Sequence, residues 1–245
     1  MSGRVQQILL NENNRRIEKP LSFAGGFFMN TLQVSRSVRF WFHQGNQVST
    51  NYAWVALHGY GHSLTTFSPL LAPLVSNRQT ILAPEALSRF YLKGTSGAVG
   101  ATWMTSDNRE LDIQDNHAYL DDITQYLKQQ YRISRLVLLG FSQGCTTMLR
   151  WWMAKRPSQV ASVVAWAGSF PHEYALQDWI HCAPETPLWI VAGKNDPYLQ
   201  DSYIQFANSL AELRPNCRLV WFEGEHTIDP GTLSGICVEI MQQLA

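Results

Sequence analysis

Apolar positions in this chain fall into two kinds of pattern that alternate from end to end. The short runs Ala53–Leu57, Leu136–Leu139, Ala161–Trp166, Pro187–Val191 and Arg218–Phe222 have the length and β-branched content of strands buried on both faces of a sheet. Gln79–Ala83 is a further short strand, ending at Pro84. In Leu32–His43, Val34, Val38, Phe40 and Phe42 alternate with Ser, Arg and Trp41; this period of two predicts an outer strand with one wetter face, and Gly45-Asn46 predicts a turn after it. Between these runs lie segments of helical period. Arg109–Tyr131 places Leu111, Ile113, Tyr119, Leu120, Ile123, Tyr126 and Leu127 near helical spacing, and Cys145–Lys155, Tyr198–Leu213 and Gly231–Leu244 read the same way. Phe67–Leu74 predicts a helix interrupted at Pro73, and Phe170–Pro184 an irregular or briefly helical connection. Strand and helix in alternation call for an α/β fold, a mostly parallel sheet covered on both faces, with ligands bound outside the C-terminal ends of the strands.

The length of 245 residues suits one domain, with residues 1–30 as an N-terminal arm or an edge hairpin. Composition is that of a globular protein, 45% hydrophobic and 16% charged. Nineteen basic residues balance nineteen acidic ones, which leaves no net charge to draw in nucleic acid or an anionic membrane. Met1–Leu10 contains Arg4 and lacks a long apolar core, so it reads neither as a secretory signal nor as a membrane span, and a cytoplasmic protein without a stable membrane anchor is expected. Cys145, Cys182, Cys217 and Cys237 are scattered, with no C-x-x-C pair, and read as reduced structural thiols.

Candidate chemistry gathers where strands end. After Leu136–Leu139 comes Gly140-Phe141-Ser142-Gln143-Gly144. A strand that turns sharply into a helix needs small residues on both sides, and such a turn lifts the Ser142 hydroxyl above the sheet while the Gln143 amide points into the same space. Ala53–Leu57 is followed by His58-Gly59-Tyr60-Gly61-His62, a turn whose backbone can aim the Tyr60 amide into a cavity as an oxyanion donor. His58, one residue past a buried strand, reads as a structural hydrogen-bonder. Pro187–Val191 leads to Asp196, with Asp201 as a rival carboxylate, and Arg218–Phe222 leads to His226. The order Ser142, Asp196, His226 is the one in which α/β-hydrolases supply a nucleophile, an orienting acid and a base. Glu85–Asn108, rich in Gly, Ser and Thr with Phe90, Tyr91 and Trp103 between them, is expected to be an irregular wall of an acyl pocket. Trp103, Met104, Phe141 and Phe170 are the candidate substrate-lining residues.

From Trp54 to the C-terminus these motifs resemble the phospholipase/carboxylesterase family of small serine hydrolases, which includes the acyl-protein thioesterases. In that family Gly-Phe-Ser-Gln-Gly is a frequent elbow, and the residue after His-Gly shares the oxyanion hole with the Gln after the nucleophile, which corresponds to Tyr60 and Gln143 here. This chain carries Tyr60 and His62 where the thioesterases often have Leu and Asp. The resemblance implies an α/β-hydrolase fold and a carboxylesterase-type serine hydrolase, acting on a small-molecule ester, thioester or lysophospholipid through an acyl-enzyme, without cofactor or metal, as a monomer or homodimer. A non-catalytic ligand-binding protein, a serine peptidase or an acyltransferase on the same scaffold remain open at this point.

Overall fold

The computed structural model describes residues 21–22, 28–29, 31–45, 51–76, 78–157 and 159–244. The chain forms two compact units, Met1–Ser37 and Val38–Ala245. In the first, β1 (Leu21–Ser22) pairs antiparallel with β2 (Phe28–Met29); the remainder of the expected N-terminal arm, and most of the turn expected at Gly45-Asn46, lie outside the described residues.

The second unit is built on a seven-stranded sheet. Its strands in chain order are β3 (Phe40–Gln44), β4 (Tyr52–Leu57), β5 (Thr80–Pro84), β8 (Arg135–Phe141), β9 (Val160–Trp166), β10 (Leu188–Gly193) and β11 (Cys217–Phe222). They lie in the order β11-β10-β9-β8-β4-β5-β3, with only the edge strand β3 antiparallel to its neighbour. Every residue of β4 is buried, and its side chains divide with the pleat. Ala53, Val55 and Leu57 join the core beneath helices α2 (Arg109–Tyr131), α3 (Gln143–Lys155), α4 (Leu176–His181) and α5 (Asp201–Leu213). Tyr52, Trp54 and Ala56 join the opposite core, covered by α1 (Leu64–Phe67), the 3-10 turns that follow it over Ser68–Leu74, and α6 (Pro230–Leu244). The two-residue period thus feeds two separate apolar layers, which is why the central strands carry no polar face. This is the α/β-hydrolase architecture.

Two expected elements differ. The outer strand begins at Phe40 rather than Leu32, because its partner β5 is only five residues long and the ladder runs from Phe40↔Pro84 to Gln44↔Thr80. Among the described residues no strand pairs with 32–39. The chain is fixed at that point by Arg39, whose guanidinium grips buried Glu85 with two hydrogen bonds of 2.8 and 2.7 Å. The segment Glu85–Asn108 is not irregular throughout: β6 (Ser88–Tyr91) and β7 (Val99–Thr102) form an antiparallel hairpin. Its base is tied to the turn after β4, where the Gly61 amide donates to Ala101 O at 2.9 Å and the Ala101 amide donates to His62 O at 2.9 Å.

All four cysteines are buried and unpaired. Among the described residues no helix is long and apolar enough to cross a membrane.

Candidate active site

β8 runs straight into α3, and the residue between them, Ser142, is forced to φ 54° and ψ −120°. A side chain rarely occupies this region, and the strain is sustained by the packing around it. The Ser142 amide donates to Trp166 O of β9 at 2.9 Å, while its carbonyl accepts from Cys145 N of α3 at 3.0 Å. Only glycine fits on either side. A β-carbon at Gly140 would sit 2.5 Å from Cys145 Cα, and one at Gly144 would sit 2.3 Å from the His58 carbonyl oxygen.

Asp196 and His226 leave the sheet from adjacent strands, β10 and β11, whose last residues Gly193 and Phe222 are paired. Backbone bonds knit the two loops together: Lys194 N to Phe222 O at 3.0 Å and Asn195 N to Gly224 O at 2.9 Å. The indole of Trp166 holds the second loop by donating to Thr227 O at 2.8 Å. The result is a continuous chain of hydrogen bonds. His226 Nε2 lies 2.8 Å from Ser142 Oγ, and His226 Nδ1 lies 2.7 Å from Asp196 Oδ2. An ionised carboxylate only accepts, so Nδ1 carries the proton and Nε2 is left to accept from the serine hydroxyl. The other oxygen, Asp196 Oδ1, accepts from the Tyr198 amide at 2.9 Å, and the carboxylate is almost wholly buried, at 1% exposure. Asp201, by contrast, is the exposed first residue of α5.

This chain opens into a cavity of about 860 Å³ lined by Tyr60, Ser142, Gln143, Gly168, Phe170, Tyr174, Tyr198, Tyr203 and Phe206, among others. The amides of Tyr60 and Gln143 have no hydrogen-bond partner among the described residues, and Gln143 opens α3, where backbone donors go unsatisfied by the helix itself. Among the described residues no group of three or more His, Cys, Asp or Glu side chains is placed to hold a metal ion.

The model of the phospholipase/carboxylesterase family matches residues 46–242. The chain belongs to that family. Solved structures agree on the fold. An acyl-protein thioesterase 2 from Zea mays superposes with a TM-score of 0.62 at 19% identity, covering 84% of this chain and 99% of its own. A Bacillus cereus carboxylesterase gives 0.62 at 16%, covering 84% and 94%, and a phospholipase/carboxylesterase from Dyadobacter fermentans gives 0.63 at 19%, covering 85% and 99%. Among curated proteins none matches the chain in sequence. As a phospholipase/carboxylesterase-family member the protein is an esterase-type hydrolase.

Of the four side chains expected to line a substrate groove in this family member, Phe170 borders the cavity. The other three are not among the residues that line it. Trp103 is buried in the core, its indole donating to His58 O at 2.8 Å. Phe141 is buried against the imidazoles of His226 and His62, at ring-centroid distances of 5.1 and 5.7 Å. Met104 contributes its carbonyl, which accepts from Gln143 Nε2 at 2.8 Å. The side chain of Gln143 makes contacts that the sequence did not suggest. Its side-chain oxygen accepts from Trp103 N at 3.0 Å and Thr102 Oγ1 at 3.1 Å, so it clamps the hairpin to the start of α3 and fixes its own amide. Of the hairpin aromatics, Phe90 meets Tyr60 in a tilted pair at 5.1 Å, and Tyr91 is half exposed.

The far wall is held by charge. Buried Arg150 of α3 pairs with Glu173, and Arg109 reaches the same carboxylate at 3.5 Å. Burial works against ionisation of Glu173, but the hydrogen bond and charge of Arg150, with Arg109 beyond, outweigh it and hold the carboxyl below its usual range.

His58 is fully buried, its Nδ1 2.7 Å from Gly59 O and its Nε2 accepting from Ala86 N at 3.0 Å. Both nitrogens are spent on backbone, which makes it a structural tie between the turn after β4 and the segment after β5. Burial pushes its imidazole down to about 4 from 6.5. The unfolded chain therefore takes up this proton near pH 6.5 while the folded protein resists until about 4, so His58 withdraws stability as pH falls through that window and has no effect above it. The shift corresponds to about 3 kcal/mol. In urea unfolding at pH 7.5 and 4.5, the wild type is expected to lose more stability than His58→Gln on acidification; equal losses would remove His58 from the account.

Proposed function

We propose that this hydrolase cleaves carboxylic esters, and thioesters of similar size, through Ser142, His226 and Asp196 and a covalent acyl-enzyme. The observation that carries the reading is the unbroken hydrogen-bond chain from Ser142 Oγ through His226 to buried Asp196, opening on a cavity. Ser142 Oγ attacks the acyl carbonyl carbon as its proton passes to His226 Nε2, and Asp196 stabilises the imidazolium that forms. The carbonyl electrons move onto oxygen, where the amides of Tyr60 and Gln143 receive them; one such donor contributes about 3 kcal/mol in comparable sites. When the carbonyl reforms, the bond to the alcohol or thiol breaks and His226 returns the proton to the leaving group. Water then attacks the acyl-enzyme, giving its proton to His226, and the acid departs as Ser142 regains its hydrogen. The residues present supply each of these roles, so no step calls for a cofactor.

A cavity that opens directly at Ser142 favours dissolved esters of short to medium acyl length. In a p-nitrophenyl ester series, activity is expected to follow monomer concentration smoothly. A sharp rise only above the concentration at which the longer esters form micelles would reveal a lid and contradict the reading.

A further inference from the structure

The cavity wall is aromatic rather than aliphatic. Six tyrosine and phenylalanine rings, Tyr60, Phe170, Tyr174, Tyr198, Tyr203 and Phe206, line it against a single leucine, Leu199. A channel meant for a flexible alkyl chain needs apolar area without orientation, whereas rings prefer edge-to-face or tilted partners at definite distances. Such a network is already in place. Phe170 meets Trp179 edge-on at 5.0 Å, Phe206 tilted at 4.9 Å and Tyr203 at 6.3 Å. Phe170, Tyr203 and Phe206 pack against the core yet are each only partly buried, and all three border the cavity.

The two sides of the cavity are distinguished by the general acid. The leaving group must lie beside His226, and of the rings that line the cavity it is Tyr198 that packs on that imidazole, edge-on at 4.7 Å, while Phe141 backs it from the core. The Phe170 cluster makes no ring contact with His226 among the described residues; it reaches Ser142 through the Gly168–Ser169 segment, which is held to α3 by Thr146 Oγ1 donating to Ser169 O at 2.7 Å. That places the cluster on the acyl side. The cavity lining contains no Lys or Arg, and its histidines are His226, which is engaged by Asp196, and the highly exposed His172, so no fixed positive charge there neutralises an anionic acyl group.

We propose that the preferred substrates are neutral esters of arylalkanoic acids, whose ring completes the tilted cluster of Phe170, Tyr203 and Phe206. This rests on the Ser142 reading above and goes beyond it in naming the acyl group.

The test compares kcat/KM for p-nitrophenyl 3-phenylpropanoate, 3-cyclohexylpropanoate and octanoate, which share one leaving group, with p-nitrophenyl acetate alongside. The phenyl ester is expected to exceed the cyclohexyl ester by about fivefold, the worth of one well-placed ring pair, although the saturated ring is the more apolar. Octanoate should fall below the phenyl ester as well. In Phe206→Leu, and independently in Phe170→Leu, the phenyl-to-cyclohexyl ratio should fall toward one. A wild-type ratio of one or less, or a ratio unmoved in both variants, overturns the proposal. Acetate separates the two levels: turnover of acetate without an aryl preference defeats this inference alone, whereas no turnover of any ester defeats the Ser142 reading and this inference with it.

Discussion

Ser142→Ala is expected to lower ester turnover by about 10⁴- to 10⁶-fold, the range seen when a serine nucleophile is removed from such an arrangement. The fold should survive. The change deletes one oxygen, which is hydrogen-bonded to His226, and the backbone bonds that hold the elbow, to Trp166 O and from Cys145 N, involve no side-chain atom. Circular dichroism and the urea midpoint should therefore stay near wild type while kcat collapses. Turnover of p-nitrophenyl acetate at the wild-type rate would show that another group performs the attack.

The second large effect is expected at Asp196. Asp196→Asn keeps the shape of the side chain, and its remaining oxygen can still accept from the Tyr198 amide, but an amide cannot stabilise an imidazolium and lets the ring settle with its proton on the wrong nitrogen. A loss of about 10⁴-fold in kcat follows from that mechanism. Asp201→Asn serves as the contrast. Asp201 is exposed at the first position of α5, where its charge favours the helix by about 0.3–1 kcal/mol, so its loss should touch stability slightly and leave turnover near wild type. A greater loss of kcat in Asp201→Asn than in Asp196→Asn would mean that the wrong carboxylate has been assigned.

Much of this arrangement is legible in the sequence for a physical reason. Buried parallel strands must be apolar on both faces, so β4, β8, β9 and β10 stand out as short uninterrupted runs, and α2 spans Arg109–Tyr131 as its periodicity predicts. Because ligands of such sheets bind just past strand ends, the proposed triad Ser142, Asp196 and His226 can be found by inspecting the residues immediately beyond each run. The features that stayed hidden depend on pairing at a distance. The β6–β7 hairpin is two four-residue strands within a Gly- and Ser-rich stretch, and such short strands are defined by each other more than by their own pattern. The cavity wall was hidden differently. Tyr203 and Phe206 fall within the Tyr198–Leu213 segment of helical period, and period alone cannot say that this part of the helix faces an opening. Trp103 and Phe141 err the other way: one lies in the segment expected to wall the pocket and the other inside the elbow motif, yet both are buried in the core. Tyr198 was within reach: it lies two residues after Asp196, close enough that its amide holds the carboxylate and its ring meets His226.

The same geometry explains why His226, rather than the nearby His62, is suited to serve as the base. His62 lies behind Phe141, 5.7 Å from its ring centroid, and burial followed by the charge of His226 holds its imidazole below the ordinary range. No hydrogen bond links it to Ser142 or to a carboxylate among the described residues.

Whether the Ser142 hydroxyl is activated by His226 can be read without choosing a substrate. A fluorophosphonate reacts with a serine whose proton is being withdrawn and spares passive hydroxyls. Labelling followed by tryptic peptide mass analysis should find one adduct, on the peptide Leu136–Arg150 that contains Ser142, formed in the wild type and absent in His226→Ala. An unlabelled wild-type protein, or an adduct on a different serine, would contradict the account.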